Sequence, residues 1–151
     1  MKRRDALKNS AAVLGMLMAA GLLPQAAHAA YNKPAFDAKT VAEVLKALGA
    51  SAPTESKDVT LTAPDIAENG AVVPLGAATT LPNVKQMLVL VEKNPNTLVA
   101  SFAINDAVEA NFLTRAKLGQ SSDVYAVAIT NDGKAFYAKK EVKVTLGGCG
   151  G

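Results

Sequence analysis

Short apolar segments, each followed by residues that favour turns, recur along the chain from about residue 56 onward. Many of their residues are β-branched or aromatic, the types that strands prefer. Proline, glycine or asparagine interrupts them about every 8–12 residues, and this spacing predicts about seven short antiparallel strands. The chain should therefore fold as an all-β, immunoglobulin-like sandwich and not as an α/β protein.

The strand predictions differ in how clearly one face is apolar. Residues 87–91 form an uninterrupted apolar run, which predicts a central strand. Apolar and polar side chains alternate only weakly in residues 98–104 and 124–129. This pattern fits core strands or strands at an interface. Asn131-Asp132-Gly133-Lys134 predicts a hairpin between the last two strands. The predicted strands are residues 59–62, 72–75, 87–91, 98–104, about 107–118, 124–129 and 135–146.

One short helix is predicted before the strands. Val41, Val44, Leu45 and Leu48 recur at helical spacing. Thr40 and Glu43 have the spacing of a capping box, and Gly49 follows the last apolar residue. We expect the apolar face of this helix to lie on the sheet.

The first 29 residues have the pattern of an export signal. A basic start that includes Arg3 and Arg4 precedes an apolar run from about residue 11 to 23, which is too short to span a membrane. Ala27-His28-Ala29 fits a signal cleavage site. The adjacent arginines resemble the twin-arginine signal, and general secretion is the alternative. We expect residues 1–29 to be removed, leaving a domain over 30–146 and a tail over 147–151.

Removal of the leader changes the charge and the available chemistry. The chain has 16 Lys and Arg and 13 Asp and Glu side chains, of which the leader carries four and one. The remaining chain is neutral, so its charge gives no support for nucleic-acid binding. The single histidine, His28, lies in the leader, which excludes a histidine-dependent catalytic dyad or triad and the usual Cys/His zinc site. No cofactor or metal site and no membrane span is predicted for the mature chain.

The sequence ends with its only cysteine, Cys149, surrounded by glycines: Gly147, Gly148, Gly150 and Gly151. Glycine is the least restricted residue, so this composition favours a mobile arm. Fully extended, the arm would carry the sulfur about 10 Å beyond Leu146. The tail therefore predicts a thiol that is presented to other molecules. An intermolecular disulfide is the alternative reading of a single cysteine.

Two stretches of the sequence together resemble the SoxY family of the bacterial thiosulfate-oxidation (Sox) system. One is the Gly147–Gly151 tail, and the other is residues 63–74, Ala-Pro-Asp-Ile-Ala-Glu-Asn-Gly-Ala-Val-Val-Pro. The twin-arginine leader agrees with the same family. From the residues alone, the internal stretch reads as a strand stopped by Pro64, a turn at Asn69-Gly70 and a second strand whose Pro74 marks a bulge or edge. Contact of Glu68 and Asn69 with a partner is the alternative reading, and the resemblance assigns them no role.

The resemblance implies a periplasmic carrier protein without enzymatic activity of its own. Sulfur intermediates would be attached covalently to Cys149. The implied partners are a SoxZ-like subunit in a heterodimer, a haem c-containing enzyme that couples thiosulfate to the cysteine, a hydrolase that releases sulfate, and a sulfane dehydrogenase.

Two other functions fit parts of the sequence. An exported structural or assembly module would use Cys149 for a disulfide-linked dimer. A carrier of the ubiquitin-like type would use its terminal Gly150-Gly151 carboxylate, but the strand pattern lacks the long central helix of that fold and the leader predicts export away from ATP.

Overall fold

Nine strands and two short helices make up residues 32–146, the part of the chain that the computed structural model describes. The helices are α1 (Lys33–Asp37) and α2 (Val41–Ala47). The strands are β1 (Pro53–Glu55), β2 (Val59–Thr62), β3 (Ile66–Asn69), β4 (Val73–Thr79), β5 (Val84–Val91), β6 (Leu98–Ala103), β7 (Asn111–Ala116), β8 (Ser122–Thr130) and β9 (Ala135–Leu146).

The strands form two sheets. The larger sheet has the order β1-β9-β8-β5-β6, with β3 also paired to β9, and the smaller sheet has the order β2-β4-β7. The predicted sandwich is confirmed. The hairpin is also confirmed: Ile129 pairs with Ala135, and Gly133 takes a φ of 84° in the turn between them. Only glycine adopts this φ without strain.

The apolar residues between the two sheets form the main core. On β4, Val73, Leu75 and Ala77 alternate inward and pack with buried residues of β5 and β8. The uninterrupted run of β5 is explained by its position, because Met87 and Val89 face the smaller sheet while Leu88 and Leu90 belong to a second core. The prediction of a central strand is confirmed: β5 lies between β8 and β6.

Both helices cover the opposite face of the larger sheet. Val44 and Leu45 of α2 are buried there with Leu88, Leu90 and other residues of the sheet. The predicted capping box is present: the Thr40 side chain accepts from the Glu43 amide, and the Glu43 side chain accepts from the Thr40 amide. Gly49 follows the helix with a φ of 68°. Within residues 32–146, neither helix has the length and hydropathy to cross a bilayer.

Replacing Thr40 with alanine should destabilise the fold by about 0.5–2 kcal/mol, because the Glu43 amide would lose its capping oxygen. Chemical denaturation measures this loss. Glu43→Gln is the matched control, since glutamine still accepts hydrogen bonds from the backbone amides of residues 39 and 40. An equal loss in both variants would contradict a specific role for the Thr40 hydroxyl.

The predicted secondary structure missed three elements and placed the ends of a fourth wrongly. Helix α1 and strands β1 and β3 were not predicted, and both strands pair parallel to β9, whereas an antiparallel sandwich was expected. They are too short to show a periodic pattern, and their pairing depends on the distant β9. The strand predicted over 107–118 is limited to β7, because Asn105 accepts hydrogen bonds from the amides of Ala107 and Val108 and forms a turn.

The two weakly alternating strands have different positions. β8 is central and almost wholly buried, which explains its lack of polar positions. β6 is an edge strand of the larger sheet and is mostly half-buried. Pro74 was expected to mark a bulge or an edge, but it lies in β4, the central strand of the smaller sheet, where it pairs with Arg115 of β7 without a register shift. The proline is tolerated there because β2 pairs with β4 only from Gly76 onward.

Candidate functional site

The last four residues of β9, Lys143–Leu146, extend beyond the rest of the larger sheet. Strand β8 pairs with β9 only as far as Val142, so β3 is the strand that pairs with this end. Cys149, the four glycines around it, Arg3 and Arg4 lie outside the described residues. The structure therefore places the segment from which the tail leaves, and we call Lys143–Leu146 with β3 the arm root.

Hydrogen bonds hold the arm root in a fixed register. The Gly70 amide donates to the Leu146 carbonyl at 2.8 Å, and the Lys143 amide donates to the Asp65 carbonyl at 3.0 Å. On the other side of β9, the Val144 amide donates to Ser121 Oγ at 2.9 Å. The starting point of the tail is thus fixed up to Leu146, even though the strand projects past its neighbour β8.

The structure places residues 63–74, one of the two stretches singled out in the sequence, beside the residues that precede the other. Residues 63–74 contain β3 and the start of β4, and β3 pairs directly with the residues that precede the glycines. Thr145 Oγ1 donates to the Glu68 carbonyl at 3.0 Å. The Asn69 side chain accepts a bond from the Ala71 amide at 2.8 Å and so stabilises its own turn. The internal stretch therefore supports the arm root.

Lys140 binds the residues just before β3. This residue was not predicted from the sequence. Its ammonium donates to the Ala63 carbonyl at 2.8 Å and lies 2.8 Å from Asp65 Oδ1. Lys140 stands at an inward position of β9, between Ala138 and Val142, which belong to the main core. A lysine in the apolar register of an alternating strand was the available signal, because such a charge needs polar partners.

The Lys140 ammonium lowers the pKa of Asp65, first through its hydrogen bond and then through its charge. The folded value thus lies below the ordinary one, so the pair stabilises the fold above about pH 4, where the unfolded carboxyl is ionised. This contribution is lost as the pH falls through the lowered folded value. Its size is small because Asp65 is exposed.

Replacing Lys140 with methionine should release the Ala63–Asp65 segment and loosen β3 against β9. We expect hydrogen exchange at the amides of Gly70 and residue 143 to become several-fold faster, because local opening there would cost less free energy. The matched control is Lys143→Met on the same strand, whose side chain is exposed. Equal exchange rates in the two variants would show that Lys140 does not fasten the arm root.

Apolar side chains are exposed where the tail begins. Val72 and Leu146 are each 58% exposed, and the Gly70 amide links their two segments. Among residues 32–146, no group of three or more His, Cys, Asp or Glu side chains has the geometry to hold a metal ion. The described surface where the tail begins thus combines exposed apolar side chains with exposed polar ones such as Glu68 and Lys143.

Comparison with known proteins identifies the family. The family described as "Sulfur oxidation protein SoxY" matches residues 44–149, which include residues 63–74 and the tail as far as Cys149. The chain belongs to the SoxY family. A comparison with curated protein sequences gives no match for this SoxY-family protein.

A solved structure supports the same assignment, and another shares the fold. The sulfur carrier protein SoxY from Chlorobium limicola f thiosulfatophilum is 32% identical with a TM-score of 0.56, and the match covers 62% of this chain and 84% of that one. A superoxide reductase (neelaredoxin) from Ignicoccus hospitalis is 20% identical with a TM-score of 0.51, covering 57% and 78% of the two chains. The latter similarity shows the fold alone. The SoxY family membership confirms the resemblance found in the sequence.

Proposed function

We propose that this SoxY-family protein is a covalent sulfur carrier, with Cys149 as the attachment site and the sandwich as its support. The observation that carries the proposal is the family match through Cys149, combined with the fixed arm root only three residues before that cysteine. The glycines on both sides of Cys149 add no side-chain bulk, which suits entry of the thiol into a narrow channel.

The proposed chemistry uses the thiolate as the attacking group and leaves catalysis to other proteins. The thiolate and thiosulfate join through a new S–S bond, and two electrons pass to a haem-containing partner. Water then attacks the terminal sulfonate group, the bond between that group and the adjacent sulfur breaks, and sulfate and a cysteine persulfide remain. An exposed thiol of pKa about 8.5 is mostly protonated near pH 7, so we expect Cys149 to be activated inside its partners.

The proposed setting is the periplasm, after export through the twin-arginine route. The partners are other proteins of the Sox system: a SoxZ-like companion subunit, a haem c-containing sulfur-transferase, a sulfate-releasing hydrolase and a sulfane dehydrogenase. Support comes from Arg3 and Arg4 ahead of an apolar run and from the family membership. Mass analysis of periplasmic protein tests the export step, with a chain that begins at Ala30 as the expected result.

The decisive test is the intact mass of the mature protein after incubation with thiosulfate and the oxidising partner. We expect an adduct of thiosulfate on Cys149, which the hydrolase converts to a persulfide. Protein incubated without the partner is the control and should remain mostly unmodified. A product that consists solely of a disulfide-linked dimer would contradict the carrier function and favour the assembly module.

A further inference from the structure

Strand β7 is an open edge of the smaller sheet. The order β2-β4-β7 leaves β7 with β4 as its one neighbour among the strands of residues 32–146. Its residues Asn111, Leu113 and Arg115 are exposed, whereas the residues between them are half-buried. Leu113 is 82% exposed, more than any other large apolar side chain in the described part of the chain. An exposed edge strand with an apolar side chain is a template for pairing with another chain.

The register of β4 and β7 decides which backbone groups of β7 face the open side. The Thr79 amide donates to the Ala110 carbonyl at 3.0 Å, and this pair continues the β4–β7 register. Hydrogen-bonded and non-hydrogen-bonded pairs alternate along antiparallel strands, so Leu113 and Arg115 fall in non-hydrogen-bonded pairs. Pro74, which has no amide hydrogen, lies opposite Arg115 and agrees with this phase. The amides and carbonyls of Leu113 and Arg115 therefore point away from β4.

Two opposite charges lie at the two ends of this strand. Glu109 lies two residues before Asn111, where β7 begins, and Arg115 lies one residue before Ala116, where it ends. Both side chains are exposed, and none of the ion pairs found within residues 32–146 involves either of them. An antiparallel partner strand brings its start beside the end of β7. A second copy of β7 would therefore place a carboxylate near each arginine.

We propose that two copies of this chain pair antiparallel through β7, about a two-fold axis at Leu113. Each Leu113 amide donates to the Leu113 carbonyl of the second copy, and each Arg115 amide donates to the Asn111 carbonyl of the second copy. The two Leu113 side chains meet across the axis, because directly opposite Cβ atoms lie about 5 Å apart. The Arg115 side chain lies opposite Asn111 of the second copy and reaches Glu109 of that copy on the diagonal.

The two neighbouring registers fit the strand less well. An axis at Thr114 would place Leu113 opposite Arg115 of the second copy and bring the two arginines onto a diagonal, where like charges repel. An axis at Phe112 would require the Asn111 amide and the Glu109 carbonyl, which already bond to each other at 2.8 Å. The axis at Leu113 keeps the arginines apart and uses the backbone groups that point to the open side.

Pairing through β7 leaves the arm root uncovered. Phe112 of β7 stacks on Phe102 of β6 with ring centroids 4.3 Å apart, so β7 lies over the β6 edge of the larger sheet. Strands β9 and β3 lie toward the other edge of that sheet. The contact therefore requires no contribution from Cys149 and differs from a disulfide-linked dimer. It goes beyond the proposed carrier function and does not depend on it.

Sedimentation equilibrium of the mature full-length chain in the presence of reductant tests the contact. We expect a monomer–dimer equilibrium whose dissociation constant rises about tenfold or more in Leu113→Asp, because the change occurs twice and sets two carboxylates opposite each other. Arg115→Glu and Glu109→Arg should each weaken the dimer several-fold. The double variant should restore it, because the two charges exchange places. Lys57→Glu is the matched control for Arg115→Glu, since it makes the same change in net charge at an exposed residue before β2.

Hydrogen exchange locates the contact on the strand. The amides of Leu113 and Arg115 should exchange several-fold more slowly as the protein concentration rises, whereas the Leu61 amide on the edge strand β2 should not change. Circular dichroism confirms that each variant is folded, and Leu113→Ala replaces Leu113→Asp if the charge prevents folding.

Three results would overturn the proposal. One is a chain that stays monomeric at millimolar concentration, which would leave β7 to a different protein. Another is a dimer that Arg115→Glu weakens no more than Lys57→Glu does and that Leu113→Asp leaves intact. The third is a dimer that is lost in Cys149→Ser, because that dimer would be held by the tail and not by β7.

Discussion

Replacing Cys149 with serine should abolish sulfur loading while leaving the stability of the domain unchanged. The loss is complete because the chain has no other cysteine, and a hydroxyl at this position cannot hold an S–S adduct. Stability should not change because a cysteine with two glycines on each side is expected to lie on a mobile arm and not in the two cores that residues 32–146 form. Intact mass after incubation with thiosulfate and the oxidising partner measures the loading, and thermal denaturation measures the stability.

The control for this variant is Ser51→Ala. Ser51 is exposed and its amide donates to Gly133, beside the start of β9, at the opposite end of that strand from the tail. It should load sulfur as the unchanged protein does. A Cys149→Ser variant that still supports thiosulfate-dependent oxidation with the partner enzymes would disprove covalent carriage on this residue.

The functional region could be predicted from the sequence only in part. Cys149 was predicted as the attachment site from composition alone, as a single cysteine among glycines, and this stays a prediction because the residue lies outside the described part of the chain. The contact between residues 63–74 and the end of β9 was not predicted, because it depends on the parallel pairing of two segments about 77 residues apart, as Glu68 and Thr145 show. Lys140 was missed for the same reason: its partners, Ala63 and Asp65, are distant in sequence.

The fold was easier to predict where a segment contributes to a core. Strands β5 and β8 and helix α2 carry periodic or continuous apolar runs, and each was predicted. Strands β1 and β3 contribute few buried side chains, and Ala67 is the one buried residue of β3. Their conformation comes from backbone pairing with β9. Such pairing requires no periodic pattern of apolar side chains, so the sequence does not predict it.

Replacing Leu88 with alanine should destabilise the domain by about 2–5 kcal/mol. Leu88 is 0% exposed and lies in the middle of β5, where it packs between the larger sheet and the helices. Truncation removes buried apolar surface and leaves a cavity in the layer between the larger sheet and the helices. Urea denaturation followed by circular dichroism measures the change in the free energy of unfolding.

Leu113→Ala makes the same chemical change at a strand position that is 82% exposed, and it should alter stability by less than about 0.5 kcal/mol. A large loss at both positions would mean that Leu113 supports the fold, and its exposure would then need no partner to explain it. If Leu88→Ala destabilises the domain and Leu113→Ala does not, Leu113 makes no contribution to the fold. A leucine that contributes nothing to the isolated domain, yet lies over the space left by Gly76, is available to contact another protein.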